Sequence, residues 1–420
     1  MTSLLKSGFF GNLRRRLLIY LAVFGPATIT AISDNDAAGV ATYSLAGANF
    51  GYSILFILLP VTILLAITQE MGARLAIVTG RGLADLIRER YGVVVSMLVF
   101  LSLTLANLGT IVANFSALKV SSSLLNIPTV PFVLLVIVAA FLMVFKGNYK
   151  TNQRIFLLGT ILYVAYIFSA FKANPDWLEA IKGTFIPTNV QLSSQFVIAS
   201  IAVLGTTITP WGQFFIQSYI VDKKLSVDKL RYSQIETFAG AFLTDFFSFF
   251  MIVATAATLF VHKIPLISGE QASLAIRPFA GELASLLLAV GLLNAALMGI
   301  VIVSLSTAYA FSEFFGYEGS LDASFYRGRS FYVLFLVQLI VAAMIILIPS
   351  VSLFKIVFYT QSLNGILLPI LIYFLLNFTN NKNIMGVYIN NRWFNYFAVI
   401  ASFVIVAASL FTLLATIFKF

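Results

Sequence analysis

Ser33-Asp34-Asn35-Asp36-Ala37-Ala38-Gly39 lies inside an apolar run of about residues 17 to 46. Gly205-Thr206-Thr207-Ile208-Thr209-Pro210-Trp211-Gly212-Gln213 lies inside another, of about 193 to 221. Each run is long enough to cross a bilayer, whose hydrocarbon core takes ~20 helical residues. Neither is expected to cross as an unbroken helix. A carboxylate at mid-depth costs ~3 kcal/mol on insertion scales, so Asp34 and Asp36 should face a cavity and a partner rather than lipid. In the second run Pro210 removes an amide donor, while Gly205 and Gly212 lower the cost of leaving the helix. Unwound backbone is tolerated at this depth only where it lines water or protein or binds something. Paired interrupted spans in corresponding halves of a chain point to an inverted-repeat transporter, with the substrate site where the two breaks meet.

The rest of the chain fits that frame. Of 420 residues, 60% are hydrophobic and 10% charged, a composition for which the solvent is lipid. About eleven apolar runs follow one another, near 17–46, 50–78, 92–124, 129–146, 153–172, 193–221, 233–262, 280–313, 330–349, 352–376 and 392–418. The expected architecture is one all-α polytopic membrane domain, with a first repeat over about 17–172, a second over about 193–376, and an additional helix over about 392–418. The net charge of +10 could suggest a nucleic-acid partner. Its placement says otherwise: Arg14-Arg15-Arg16, Arg88 and Arg90, Lys223-Lys224, Lys229 and Arg231, and Arg327 and Arg329 all fall at ends that are cytoplasmic if the N-terminus is. The reading is a multi-pass plasma-membrane protein, prokaryotic in its short loops, with N-terminus inside and C-terminus outside. Its surroundings are the bilayer, with neither nucleic acid nor an obligate protein partner in view.

With no cysteine and a single histidine, His262, the chain offers no thiolate ligand, no imidazole cluster and no nucleophile–base pair. An enzyme is therefore not expected, nor a cofactor. What the breaks do offer is oxygen. Asp36 is the main charged contact, Thr206 and Thr209 add hydroxyls three residues apart, and Asn35 adds an amide oxygen. Gln361 and Asn364 share a face of the tenth run. Asp34, equally suited to capping a half-helix, and Asp245, an unpaired acid within the apolar stretch Phe242 to Met251, are weaker candidates. An all-oxygen set suits hard cations. Glu70 lies close enough to Arg74 for a salt bridge or gate.

At these residues the sequence resembles the Nramp (natural resistance-associated macrophage protein) family of divalent-metal transporters. Gly25-Pro26, Asp36, Ala41-Thr42, Gly47 and Gly51-Tyr52 are similar to that family's first span. Gln69 through Arg74-Leu75, Val78-Thr79-Gly80, Leu83-Ala84 and Arg88-Glu89-Arg90-Tyr91 are similar to its second span and the following loop. Gln361 with Asn364-Gly365-Ile366-Leu367-Leu368-Pro369 resembles its tenth. The resemblance implies a leucine-transporter-type fold of inverted 5+5 repeats and carries Asp36 over as a metal ligand. It also marks departures. Gly39 stands where the family's Asp-Pro-Gly-Asn places a ligand Asn, Thr209 where it has a metal-binding Met, and Trp211 where it has a His on the proton route. Asn107 and Thr110 stand in place of acids tied to proton movement. These departures resemble the Nramp-related magnesium transporter branch. Small residues at Ala37, Ala38 and Gly39 leave room for the water that Mg²⁺ sheds reluctantly. The expected cargo is thus hydrated Mg²⁺, with Mn²⁺ second and no proton coupling. The alternative is a proton-coupled Mn²⁺/Fe²⁺ carrier, and behind it an amino-acid transporter of the same fold.

Overall fold

The computed structural model describes residues 16–418 apart from 17, 125–126, 189–192, 265, 267–271, 273–276 and 349–352, and it contains helices and no strand among them. Helix α1 (Pro26–Ser33) starts on a proline, whose fixed φ and missing N–H suit a first turn, and α2 (Ala37–Phe50) resumes after three residues. A 3₁₀ segment, Gly51–Ile57, leads into α3 (Leu58–Thr79), which stops where Gly80 takes a left-handed φ of 66°. Then come α4 (Leu83–Leu124), α5 (Thr129–Lys146), α6 (Tyr149–Leu162), α7 (Val164–Lys172) and α8 (Trp177–Phe185). The second half holds α9 (Ser194–Thr207), α10 (Pro210–Asp222), α11 (Leu230–Thr255), α12 (Arg277–Phe315), α13 (Arg329–Ile346) and α14 (Leu353–Thr379). The short α15 (Lys382–Met385) and the long α16 (Arg392–Phe418) complete the chain.

Both expected interruptions are present, at 34–36 between α1 and α2 and at 208–209 between α9 and α10. Among the described residues, eight helical stretches are long and apolar enough to cross a membrane, or nine if the bent pair over 363–388 counts as one. The stretch Ala37–Thr79 takes α2, the 3₁₀ segment and α3 together, and the stretch Ser194–Asp222 takes α9 and α10 together across their break. A second likeness between the halves lies in their third long helices: α4 and α12 each bend at a glycine of positive φ, Gly92 at 77° and Gly281 at 86°.

Packing sorts the helices into two groups. α12 lies most extensively along α4, while α11 lies against α1, α2 and α3. Glycines bring α11 and the first broken helix together. A Cβ on Gly240 would sit 3.1 Å from the Thr28 Cα, and one on Gly47 would sit 2.4 Å from the Ile252 carbonyl oxygen. Leu134, Leu135 and Val138 of α5 are exposed, as a lipid-facing side of a membrane helix should be.

The end of the bundle that carries the basic clusters is tied by polar contacts. The Glu236 carboxylate accepts from the backbone amides of Gly25 (2.7 Å) and Thr28 (3.0 Å). Lys223 donates to the carbonyls of Val23 and Phe24, and burial pushes its ammonium down to about 8 despite the opposing pull of Glu236. Asp222 accepts from the Tyr309 hydroxyl at 2.6 Å and the Leu321 amide at 2.9 Å. Glu70 and Arg74 form the expected salt bridge, at 2.8 Å between Oε1 and Nε.

Candidate functional site

The two breaks share a local logic. Asp36 is extended (φ −64°, ψ −177°) and caps α2, its Oδ1 accepting from the Gly39 amide at 3.0 Å. Thr209 (φ −99°, ψ 144°) caps α10, its hydroxyl oxygen accepting from the Gly212 amide at 3.2 Å. A carboxylate and a hydroxyl thus each satisfy a donor that a helix start would leave orphaned, and two positive helix ends converge where the breaks meet. Pro210, at the first position of α10, has no amide to lose.

The breaks touch through Asp34. The Thr209 hydroxyl donates to Asp34 Oδ1 at 2.6 Å, and Gln69 of α3 donates to Asp34 Oδ2 at 3.4 Å. A Cβ on Gly212 would come within 3.2 Å of the same Oδ1, so this junction needs a glycine there. Gly39 is equally confined: its Cβ would meet the Asp34 carbonyl oxygen at 2.8 Å and Thr206 Oγ1 at 3.5 Å. Asp34, Asp36, Gly39, Thr206 and Thr209 are therefore gathered at one place. The weaker candidate, Asp34, makes the direct bridge between the broken helices.

Asn114 of α4 was not anticipated. Its Nδ2 donates to Asp36 Oδ2 at 2.8 Å, and its Oδ1 accepts from the Ala37 amide at 3.0 Å. It fixes Asp36 from the side opposite the Gly39 amide. The signal lay in the sequence: Asn107, Thr110 and Asn114 recur at helical spacing on a face that is otherwise apolar.

Other expectations are corrected or redirected. Asn35 does not offer its amide oxygen to the junction. Its Nδ2 donates to the Thr244 carbonyl at 2.8 Å and its Oδ1 accepts from Ser248 at 2.9 Å, so α11 holds both ends, while its carbonyl accepts from Tyr163. Asp245 takes a structural partner, Thr62, on Oδ2 at 2.6 Å, and its Oδ1 has no hydrogen-bond partner. Asn364 is buried on α14, and the Gln361 side chain lies outside the described residues. Asn107 pairs with Thr307, Thr110 donates to the Ala106 carbonyl, and Trp211 is fully buried in apolar packing. Among the described residues, no group of three His, Cys, Asp or Glu side chains is placed to hold a metal by itself. An ion here would have to draw on hydroxyls, carbonyls and water besides carboxylates.

Known proteins match this chain over most of its length. The sequence model of the family described as natural resistance-associated macrophage protein-like matches residues 27–415. The divalent metal cation transporter MntH of Bacillus subtilis is 25% identical over 409 residues, covering 94% of this chain and 92% of that protein. The Levilactobacillus brevis protein of the same name is 24% identical, covering 94% and 88%. Among solved structures, the manganese transporter of Eremococcus coleocola superposes with a TM-score of 0.80 at 20% identity, covering 93% of this chain and 86% of that one. MhsT in complex with L-phenylalanine superposes with a TM-score of 0.59 at 14% identity, covering 95% and 98%, so the architecture extends beyond one family.

Proposed function

The chain belongs to the natural resistance-associated macrophage protein family, and we propose on that premise that it moves a divalent metal cation across the membrane by alternating access, the ion resting between the two broken helices. One observation carries the reading: Thr209 reaches Asp34 across the breaks, beside Asp36, Gly39 and Thr206. The donors are carboxylates and hydroxyls, with no sulfur and no imidazole among these side chains. Such a set suits hard ions, Mn²⁺ and Mg²⁺ included. Mn²⁺ is the first cargo, because the similar proteins are named as divalent metal cation and manganese transporters. The Mg²⁺ preference expected from the sequence gains nothing from those relatives. It stands as a second reading on the hydroxyl at Thr209, where the family resemblance implies a thioether.

In this reading the N-terminus is cytoplasmic, so the polar ties around Glu70, Asp222 and Glu236 close the inner end of the bundle. Asp36 supplies the charge that meets the dication. Asn107, Thr110 and Trp211 leave the third and sixth spans without a titratable relay, so transport runs on the ion gradient and the membrane potential. The potential contributes ~4.6 kcal/mol per 100 mV for a doubly charged ion, twice the single-charge value.

Proteoliposomes with an entrapped Mn²⁺ or Mg²⁺ indicator and a pH dye test both parts. Each ion is expected to enter and to compete with the other while the lumen keeps its pH. Entry of neither ion sinks the reading, and acidification that tracks uptake sinks its uncoupled form. Mg²⁺ entry with Mn²⁺ excluded promotes the second reading.

Thr209→Met is expected to raise Cd²⁺ competition against Mg²⁺ or Mn²⁺ by about tenfold, since ligand softness is one of the few levers that separate divalent ions. The change also removes the cap on Gly212 and the bond to Asp34, so Thr209→Ser serves as the control that retains both. An unchanged competition ratio in the Met variant would mean that Thr209 does not face the ion.

A further inference from the structure

α10 carries polar residues at every fourth position below the junction. Thr209, Gln213 and Gln217 fall on one face, each step advancing ~6 Å along the axis. α3 faces them with Thr68, Gln69 and Gly72. The three glutamines are fully buried, at 0% exposure. Each makes one bond through its amide nitrogen, to a group that must accept. Gln69 Nε2 donates to Asp34 Oδ2 at 3.4 Å. Gln213 Nε2 donates at 3.4 Å to Thr68 Oγ1, whose proton goes to the backbone of its own helix. Gln217 Nε2 donates to the Gln213 carbonyl at 3.2 Å. The orientation of all three amides is thereby fixed, and all three Oε1 atoms are left without a hydrogen-bond partner.

One orphaned acceptor is a local accident; three on a single seam are a pattern. Buried acceptors are nearly always satisfied, and glutamines that merely joined two helices would be expected to pair across them. The seam also has direction. It begins at the Asp34 carboxylate beside the broken helices, and next to Gln217 the Ser218 hydroxyl donates at 2.5 Å to Glu313, a half-buried carboxylate at the end of α12. At Gly72 the missing side chain leaves room beside Gln217, whose Nε2 would lie only 3.3 Å from a Cβ there.

We propose that this α3–α10 seam is the inward release track for the transported cation, with the amide oxygens of Gln69, Gln213 and Gln217 as successive neutral contacts for the ion and its water between Asp34 and Glu313. The proposal rests on the divalent-cation reading and adds a path to it. Neutral oxygens suit such a path. An amide carbonyl accepts a hydrogen bond from the ion's water or replaces one water, yet lacks the full charge that would hold a dication in place. Release requires sites that bind well enough to enter and weakly enough to leave.

Because the chain contains no cysteine, single cysteines at these positions report directly. Gln213→Cys and Gln217→Cys are expected to react with a charged, membrane-impermeant thiosulfonate added on the cytoplasmic side of proteoliposomes, and the reaction should stop Mn²⁺ uptake. Gln217→Leu is expected to lower the maximal Mn²⁺ uptake rate about tenfold while Mn²⁺ affinity in detergent, by calorimetry, moves less than about twofold. Gln217→Asn keeps an amide and should retain more than about half the rate, which separates a lost oxygen from a misfolded protein. Unreactive cysteines, or a Leu variant as fast as wild type, would overturn the track. If the wild-type protein moved neither Mn²⁺ nor Mg²⁺, the functional reading would fall, and the thiol reaction would still decide whether a hydrated path exists along this seam.

Discussion

Mn²⁺ uptake by proteoliposomes containing the Asp36→Ala protein is expected to fall to the leak of empty vesicles, a loss of at least about 100-fold. The change removes a full negative charge from a site where a dication must exchange water for protein oxygens, leaving Asp34 and neutral groups to meet it. It also removes an acceptor from two donors, the Gly39 amide and Asn114 Nδ2. Loss of the cap alone destabilises by ~1 kcal/mol, too little to prevent folding but enough to confuse a single-variant experiment. Asp36→Asn separates the two effects. Its amide oxygen still accepts from Gly39 while its NH₂ faces Asn114 Nδ2 and cannot accept from it, so thermal stability in detergent should fall by about what one buried hydrogen bond is worth while uptake is still lost. Uptake within about threefold of wild type in the Asn variant would show that the charge at this position does not carry the ion.

The second large effect is on stability. Glu70 and Arg74 are 3% and 6% exposed, and the guanidinium satisfies more than its partner. It bonds both Glu70 oxygens, the Tyr388 carbonyl and Asn390 Oδ1 (2.6 Å), and lies 5.7 Å from the Phe394 ring centroid. Gln234 of α11 donates to the same carboxylate at 2.8 Å. The pair therefore fastens α3 to α11 and to the segment joining α14 and α16, beside a cavity of about 420 Å³. Arg74→Ala leaves a buried carboxylate without its counter-charge, a loss of ~3–5 kcal/mol. The melting temperature in detergent should fall by on the order of 5–10 °C. Removing both charges as Glu70→Leu with Arg74→Leu should recover most of that fall, because no unpaired ion is then buried. An Arg74→Ala protein that melts with wild type would refute the fastening role.

Legibility in the sequence followed helical periodicity. The two breaks could be placed to within a residue or two because a carboxylate pair and a Gly/Pro/Thr cluster stand out against apolar helix. The Glu70–Arg74 pair could be read because four residues apart is one face. Asn35 could not. In a three-residue gap there is no 100° register to say which way a side chain points, and α11 claimed it. The Asp34–Thr209 contact joins residues 175 positions apart, and no local pattern encodes that approach. Asn114 was readable in principle, being one turn beyond Thr110.

The paired caps at the breaks have a mechanical consequence. α1 ends with the amides of Asp34 and Asn35 bonded back to Ala31 and Ile32, and α2 begins with Val40 bonded to Asp36. Across the second break, Ile208 bonds back to Leu204, and Gln213 bonds to Thr209. These bonds stay within their own half-helix. A half-helix can therefore swing at Asp36 or Thr209 as a hinge without unzipping a turn, and what ties the two broken helices includes the Thr209–Asp34 hydrogen bond and, between α2 and α9, the Tyr43–Thr207 contact at 2.6 Å. Turning at either point breaks side-chain contacts between helices and leaves the backbone bonds of each half-helix intact.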